Sequence, residues 1–141
     1  MLYERDLDKL SNEISSYKNE ADLWKTGKNI RNSGGNLCLH LIGNLNTYIG
    51  VTLGNFEYKR QRELEFSRKD VPLTELLSKI AETKKVVLET LDQLPRVCLD
   101  QVYPLKVFSK KTSTEYMLLH LTTHLTYHLG QINYHRRLVA S

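Results

Sequence analysis

Apolar residues recur at helical steps in four separate stretches of the chain. In the first, about Leu2 to Tyr17, the residues Leu7, Leu10, Ile14 and Tyr17 fall three or four positions apart and form one apolar stripe. A loop over about residues 20–35 follows and ends in RNSGG. Trp24 in this loop is expected to cover an edge of the core, and Gly34 and Gly35 give the backbone freedom to turn. Ser33 or Asn36 supplies the N-cap of a second helix, from about Asn36 to Leu53. Leu37, Leu41, Leu45 and Tyr48 mark its inner face, with His40 and Asn44 alongside, and Gly54 and Asn55 read as its stop. A charged segment leads to a third helix that starts near Pro72 and runs to about Leu94, with Leu73, Leu76, Leu77, Ile80, Val87 and Leu91 at its apolar positions. Pro95 ends it, and some twenty residues of loop follow. In TSTE, Thr112 stands three residues before Glu115, the spacing of a capping box. It opens a fourth helix, from about Ser113 to Arg137, whose C-terminal end Arg136 and Arg137 favour electrostatically.

Four helices of these lengths with no convincing sheet predict an all-α four-helix bundle, one domain over residues 1–141. A chain of 141 residues suits a single core. No run of about 18 apolar residues is present, so a membrane span is not expected. MLYERDLDKL carries charges of both signs and no secretory h-region. Cys38 and Cys98 match no zinc-finger or redox spacing, and free thiols in the cytoplasm are the simplest reading. The net charge of +4 raises the question of nucleic acid. In EYKRQRELEFSRKD, however, basic and acidic residues alternate as on a solvated or salt-bridged face, and no groove-reading motif accompanies them, so nucleic-acid binding is not expected.

The candidate chemistry lies in HLTTHLTYHLGQINYH, which holds four of the five histidines. At about 100° per residue, His124 and His128 lie within about 40° of each other, with Met117, His120, Gln131 and His135 on the same side and Leu121 and Tyr127 flanking. Imidazoles on an inward stripe need partners for their nitrogens. A single such histidine is commonly a hydrogen-bonded core residue. A metal ion is the other efficient partner, because neutral imidazole ligates zinc, nickel, copper and iron. Spacing then limits the choice. His120 and His128 are separated by about 12 Å along the axis, too far for one ion, so one adjacent pair binds and His124 belongs to either pair. A third ligand must come from another helix, and His40 is the remaining histidine.

A histidine in the second helix followed by HxxxHxGQI late in the fourth resembles the DinB/YfiT-like four-helix superfamily. The resemblance covers essentially the whole chain, and EFSRKDVP before the third helix adds to it. It implies a divalent metal held by His40, His124 and His128, with positions left open for water or substrate. His128 is the histidine followed by LGQI, and on that alignment His120 becomes a neighbour. Where many members carry a basic residue after the last histidine, this chain has Leu129. The superfamily is often dimeric and includes thiol-dependent S-transferases, isomerases and metal-dependent hydrolases.

Three neutral imidazoles leave a bound cation its full charge, which lowers the pKa of water or of a thiol toward neutrality. The leading expectation is therefore a metal-dependent enzyme acting on a small molecule, either an S-transferase of a low-molecular-weight thiol or a hydrolase, in homodimeric form. Zinc or nickel is favoured, with iron or manganese as alternatives. No acidic residue beside the histidines stands out as a general base, which favours the thiol route. The other readings are a non-catalytic metal- or ligand-binding bundle and a metal-free dimeric scaffold. Asn44 and Gln131, each one turn from a histidine, read equally as hydrogen-bond partners of the ligands or as helix-packing residues. Tyr48 and Tyr127 read as core aromatics at the edge of a pocket. Glu65 and Arg62 read as a surface salt pair. Cys38 reads as a small core residue and Cys98 as structural or exposed.

Overall fold

The computed structural model describes residues 1–27 and 29–140. Its architecture is all-α: α1 (Leu2–Ser15), α2 (Gly34–Leu45), α3 (Arg62–Ser67), α4 (Leu73–Gln93) and α5 (Thr114–Val139). A π-helical segment (Asn46–Val51) and a last α turn (Thr52–Gly54) prolong α2. Asn55 then ends it in the left-handed conformation, at φ 56°, as an αL cap requires. Short 3₁₀ helices occupy Glu20–Trp24 and Arg96–Asp100. Among the described residues the only extended pairings are the isolated bridges Gly27–Ile30 and Val102–Ser113.

The four long helices enclose one core. α1 packs against α4 and α5, and α2 packs against the same two from the other side. Leu7, Leu10 and Ile14 of α1 meet Leu41 and Leu45 of α2, Leu76 and Ile80 of α4, and Leu121 and Leu125 of α5 in one buried cluster. Polar ties run along the α1–α5 seam. Thr126 Oγ1 donates to Asp6 Oδ2 at 2.6 Å, while Asn133 Nδ2 and Arg136 Nε each reach the Glu13 carboxylate at 2.7 Å.

Two expectations about α2 change. Its apolar stripe predicts one buried face, yet every residue from Gly34 to Leu45 is buried. The helix is covered on several sides by α1, α3, α4, α5 and the 3₁₀ turn at Trp24. Gly34 and Gly35 are not turn residues either; they form the first turn of α2. A Cβ at Gly34 would lie 2.1 Å from the Tyr17 hydroxyl, and one at Gly35 2.6 Å from the Trp24 ring. Close approach, not backbone freedom, is what requires glycine there. Ser33 is the N-cap, accepting from the Asn36 backbone N–H at 3.2 Å.

The start of α5 is also displaced by one residue. Ser113, not Thr112, caps it, its Oγ accepting from Tyr116 N at 3.0 Å. The Val102–Ser113 bridge and the bond from Tyr103 N to Thr112 O hold Thr112 in the preceding strand-like segment. Ser113→Ala is therefore expected to cost about 1 kcal/mol of unfolding free energy, whereas Thr112→Ala should stay within about 0.5 kcal/mol; urea titration of both variants checks this.

The side chains of α5 settle into a phase different from the expected one. Its buried stripe is Met117, Leu121, Leu125, Leu129, Ile132 and His135. His120, His124 and His128 are half-buried along one border of that stripe. Leu121 thus stands in the stripe rather than beside it, because burying five apolar side chains outweighs the cost of leaving three imidazoles part-solvated. That border placement is what leaves the histidine nitrogens accessible from a cleft.

Candidate metal centre

His40 and His124 come from α2 and α5, whose contact line brings residues 84 positions apart together. His40 Nε2 lies 3.2 Å from His124 Nε2, and His128 Nε2 lies 3.1 Å from the same atom. One nitrogen from each of the three rings falls within 4.8 Å of the others. His120 is outside this group. Its ring stands edge-on to Phe108, with centroids 4.8 Å apart, and stacks beside His124 at 6.4 Å.

The opposite ring nitrogens show which lone pairs are free. His40 Nδ1 is 3.0 Å from Glu65 Oε1, a carboxylate oxygen that can only accept, so Nδ1 carries the proton. His128 Nδ1 is 2.7 Å from Gln131 Oε1 and donates to it. Both rings therefore turn an Nε2 lone pair toward His124. His124 has at most one proton to offer on Nε2, and its Nδ1 is buried without a partner. The protein's own hydrogen bonds cannot satisfy this cluster. A divalent cation can take all three Nε2 lone pairs, since bonds of about 2.0–2.1 Å place two imidazole nitrogens about 2.9–3.4 Å apart. The donor set and its spacing fit such an ion.

Glu65 was expected on the surface and is instead 6% exposed. α3 folds onto α2 and sets the carboxylate against Gly43, where a Cβ would lie 1.8 Å from Glu65 Oε2. Asn36 Nδ2 holds α3 in place, donating to the backbone carbonyls of Glu65 at 2.9 Å and Arg68 at 2.8 Å. The charge is matched by Arg60, not Arg62, through Nε–Oε2 at 2.8 Å and Nη2–Oε1 at 3.0 Å. Burial acts to raise the Glu65 carboxyl, but hydrogen bonds from His40 and Arg60 outweigh it and keep it below the usual carboxylate range. An acidic residue thus does stand beside the histidines, contrary to the expectation. Both its oxygens are engaged, so it orients His40 and is not poised to take a proton from a substrate. The one local signal for it is Gly43, three residues after His40, which leaves room on that face of α2.

The remaining candidates separate. Gln131 is exposed and tied to His128 as described. Asn44 is 7% exposed, one turn past His40, and its Oδ1 has no partner. Tyr127 is not a core residue: it is 65% exposed, with its ring edge-on to His128 at 5.4 Å. Tyr48 is half-buried, packs on the core and lines the histidine cleft. Cys38 is fully buried and Cys98 half-buried, both as free thiols. Leu129, where many members of the resembled superfamily carry a basic residue, is a core residue at 8% exposure.

A cleft of about 240 Å³ opens onto His40 and His124 and is also lined by His120, Asn44, Arg60 and Arg62. A larger one of about 400 Å³ lies at the C-terminal end of α5 beside His135 and touches none of the three clustered histidines. His135 is not part of the cluster. Its two nitrogens are taken by the Tyr17 hydroxyl at 2.6 Å and the Lys25 carbonyl at 2.8 Å, making it a satisfied buried histidine.

A family model described as "Protein of unknown function (DUF1572)" matches residues 3–141. The chain belongs to the DUF1572 family. The match takes in all three clustered histidines and Glu65. No curated protein matches the chain. No helix of this DUF1572 member is long and apolar enough to cross a membrane among the described residues.

The electrostatics of the DUF1572 site favour neutral rings. Burial, and after it the neighbouring His128, His40 and His120, push His124 down to about 4. His128 is lowered as well, chiefly by burial, although its bond to Gln131 acts the other way. Ligation requires the deprotonated nitrogen, so these rings are ready for a cation at neutral pH without first losing a proton. For the metal-free protein the sign is set by the unfolded chain, where histidine titrates near 6.5. Below that pH the unfolded state binds the proton that folded His124 refuses. Stability is expected to be fully present above about pH 6.5 and to fall as pH drops toward 4, with urea midpoints declining less steeply in His124→Asn.

Proposed function

We propose that this protein is a divalent-metal-binding, DinB-like four-helix bundle that works as a metal-dependent enzyme on a small molecule, as an S-transferase of a low-molecular-weight thiol or as a hydrolase. The reading is carried by one observation: three imidazole nitrogens from α2 and α5 converge with lone pairs that the protein's own hydrogen bonds leave unmatched. The DinB-like assignment rests on the His40 and HxxxHxGQI pattern together with the packing of the four long helices around one core.

His40, His124 and His128 would hold the ion. Glu65 and Gln131 fix the tautomers of His40 and His128 and hold those rings in orientation. A zinc or nickel ion there, or an iron or manganese ion, would supply Lewis acidity that activates water or a small thiol at pH 7. The half-open cleft beside His124 admits the second reactant. With Glu65 bound on both oxygens, no free carboxylate near the rings serves as a general base among the described residues, which favours a thiol as the nucleophile over water. A homodimer in the cytoplasm completes the proposal.

Metal analysis of untagged protein, followed by turnover assays with small thiols and electrophiles and then with esters and amides, tests it. Stoichiometric metal with thiol transfer supports the first branch, and stoichiometric metal with ester or amide cleavage supports the second. Metal without turnover reduces the reading to a binding protein. Failure to take up any of the four ions after chelation and reloading overturns it.

A further inference from the structure

The cleft beside the histidines carries more than metal ligands. Arg62 lines it, is exposed, and has no carboxylate partner among the described residues; its guanidinium stands over the Phe66 ring at 5.7 Å. Arg60 lines it too, with its charge matched by Glu65. No acidic side chain lines the cleft, so its lining carries net positive charge even without an ion. Asn44 also lines it, is more than nine-tenths buried, and its Oδ1 is an acceptor that no donor among the described residues reaches. Buried amide oxygens are rarely left so, and the orphaned atom points to a group that arrives from outside. His120 and the apolar side chains of Met117, Leu121 and Val107 complete the lining.

We propose that this cleft is a binding subsite for a small molecule that bears an oxyanion, seated at Arg62, and a neighbouring N–H or O–H donor, accepted by Asn44 Oδ1. Arginine's planar fork matches carboxylate and phosphate oxygens, which lysine would not do in the same way. The volume of about 240 Å³ falls below the roughly 300–1,000 Å³ usual for cofactor pockets, which suits a compact metabolite and not a nucleotide. The inference names the substrate class of the proposed enzyme and rests on that reading only for its connection to the ion; the subsite itself is built from Arg62 and Asn44.

The test is a titration followed by NMR of the Asn44 side-chain amide and the Arg62 Nε–H, on metal-free and on zinc-loaded protein. The probes are N-acetylglycine, which carries a carboxylate and an amide N–H, its neutral analogue N-acetylglycinamide, and inorganic phosphate. N-acetylglycine is expected to shift both signals and to bind at least tenfold more tightly than N-acetylglycinamide. Arg62→Ala, a surface change that should not disturb folding, is expected to weaken it at least fivefold, and Asn44→Leu at least threefold. Phosphate that shifts Arg62 but not Asn44 supports the oxyanion half of the site, since phosphate offers Asn44 little as a donor at pH 8. Equal binding of the charged and neutral probes overturns the proposal, as does an unchanged affinity in Arg62→Ala. Zinc uptake, measured separately on the same samples, tells the two ideas apart. Probe binding without zinc uptake sinks the metal enzyme and leaves the subsite. Zinc uptake with charge-blind probe binding does the reverse.

Discussion

His124→Ala is expected to abolish stoichiometric binding of zinc or nickel. His124 Nε2 is the atom that both other rings approach, at 3.2 and 3.1 Å, so its loss removes the central one of three ligands and leaves two. Three protein ligands with an open position make a weaker site than a closed four-ligand one, and two leave little affinity. The fall should exceed the roughly 10–100-fold that loss of a mere supporting partner costs. His40→Ala and His128→Ala should behave alike. His120→Ala should keep most of the binding, because its ring packs on Phe108 and lies outside the cluster. Isothermal titration with zinc on the four variants gives the ordering. If His120→Ala proved as damaging as His128→Ala, the assignment of the pair would be wrong.

Glu65→Ala is expected to damage both the fold and the site. The carboxylate is 6% exposed and the Arg60 side chain 14% exposed, so the substitution leaves a nearly buried guanidinium without its counter-charge. Breaking one half of a buried pair costs on the order of 3 kcal/mol, more than the pair itself is worth against an apolar replacement. The same change frees His40 Nδ1, and with it the ring orientation that aims Nε2 at His124. Zinc affinity should then drop by about 10–100-fold. Glu65→Gln keeps an acceptor for His40 and most of the volume, and should recover a large part of the affinity while remaining less stable than the parent. Urea unfolding and zinc titration on the two variants separate the effects. An affinity in Glu65→Ala equal to that of the parent would show that His40 needs no support from this side chain.

The positions of the helices were legible because their signals are local. Leu7, Leu10 and Ile14 repeat at the α-helical period, Pro72 sits just ahead of α4, and Asn55 stops the second helix in the conformation its side chain tolerates. Structure and sequence pattern diverge where a tertiary partner decides between local options. Thr112 had the capping-box spacing, but Tyr103 N took its carbonyl and moved the cap to Ser113. Gly34 and Gly35 carry the mark of a turn, yet Tyr17 and Trp24 pressing on their Cα atoms are the reason for glycine. The histidine pattern alone predicts Tyr127 as a core aromatic, but the leucines set the phase of the helix and leave Tyr127 exposed.

By itself the sequence determined that α5 would carry imidazoles on adjacent turns and that only neighbouring ones could share an ion, since helical rise and bond length are fixed quantities. It also marked His40 as the remaining histidine, on another helix. Only the tertiary structure decided that Nε2 of His40 and His128 would both face His124, that Glu65 would be drawn inside against Gly43, and that Arg62 and an unpartnered Asn44 would share one cleft. Those facts depend on how α3 docks on α2 and how α2 crosses α5. Such contacts join residues as far apart as 25 positions, for His40 and Glu65, and 84, for His40 and His124, and no periodicity or capping preference along the chain encodes them.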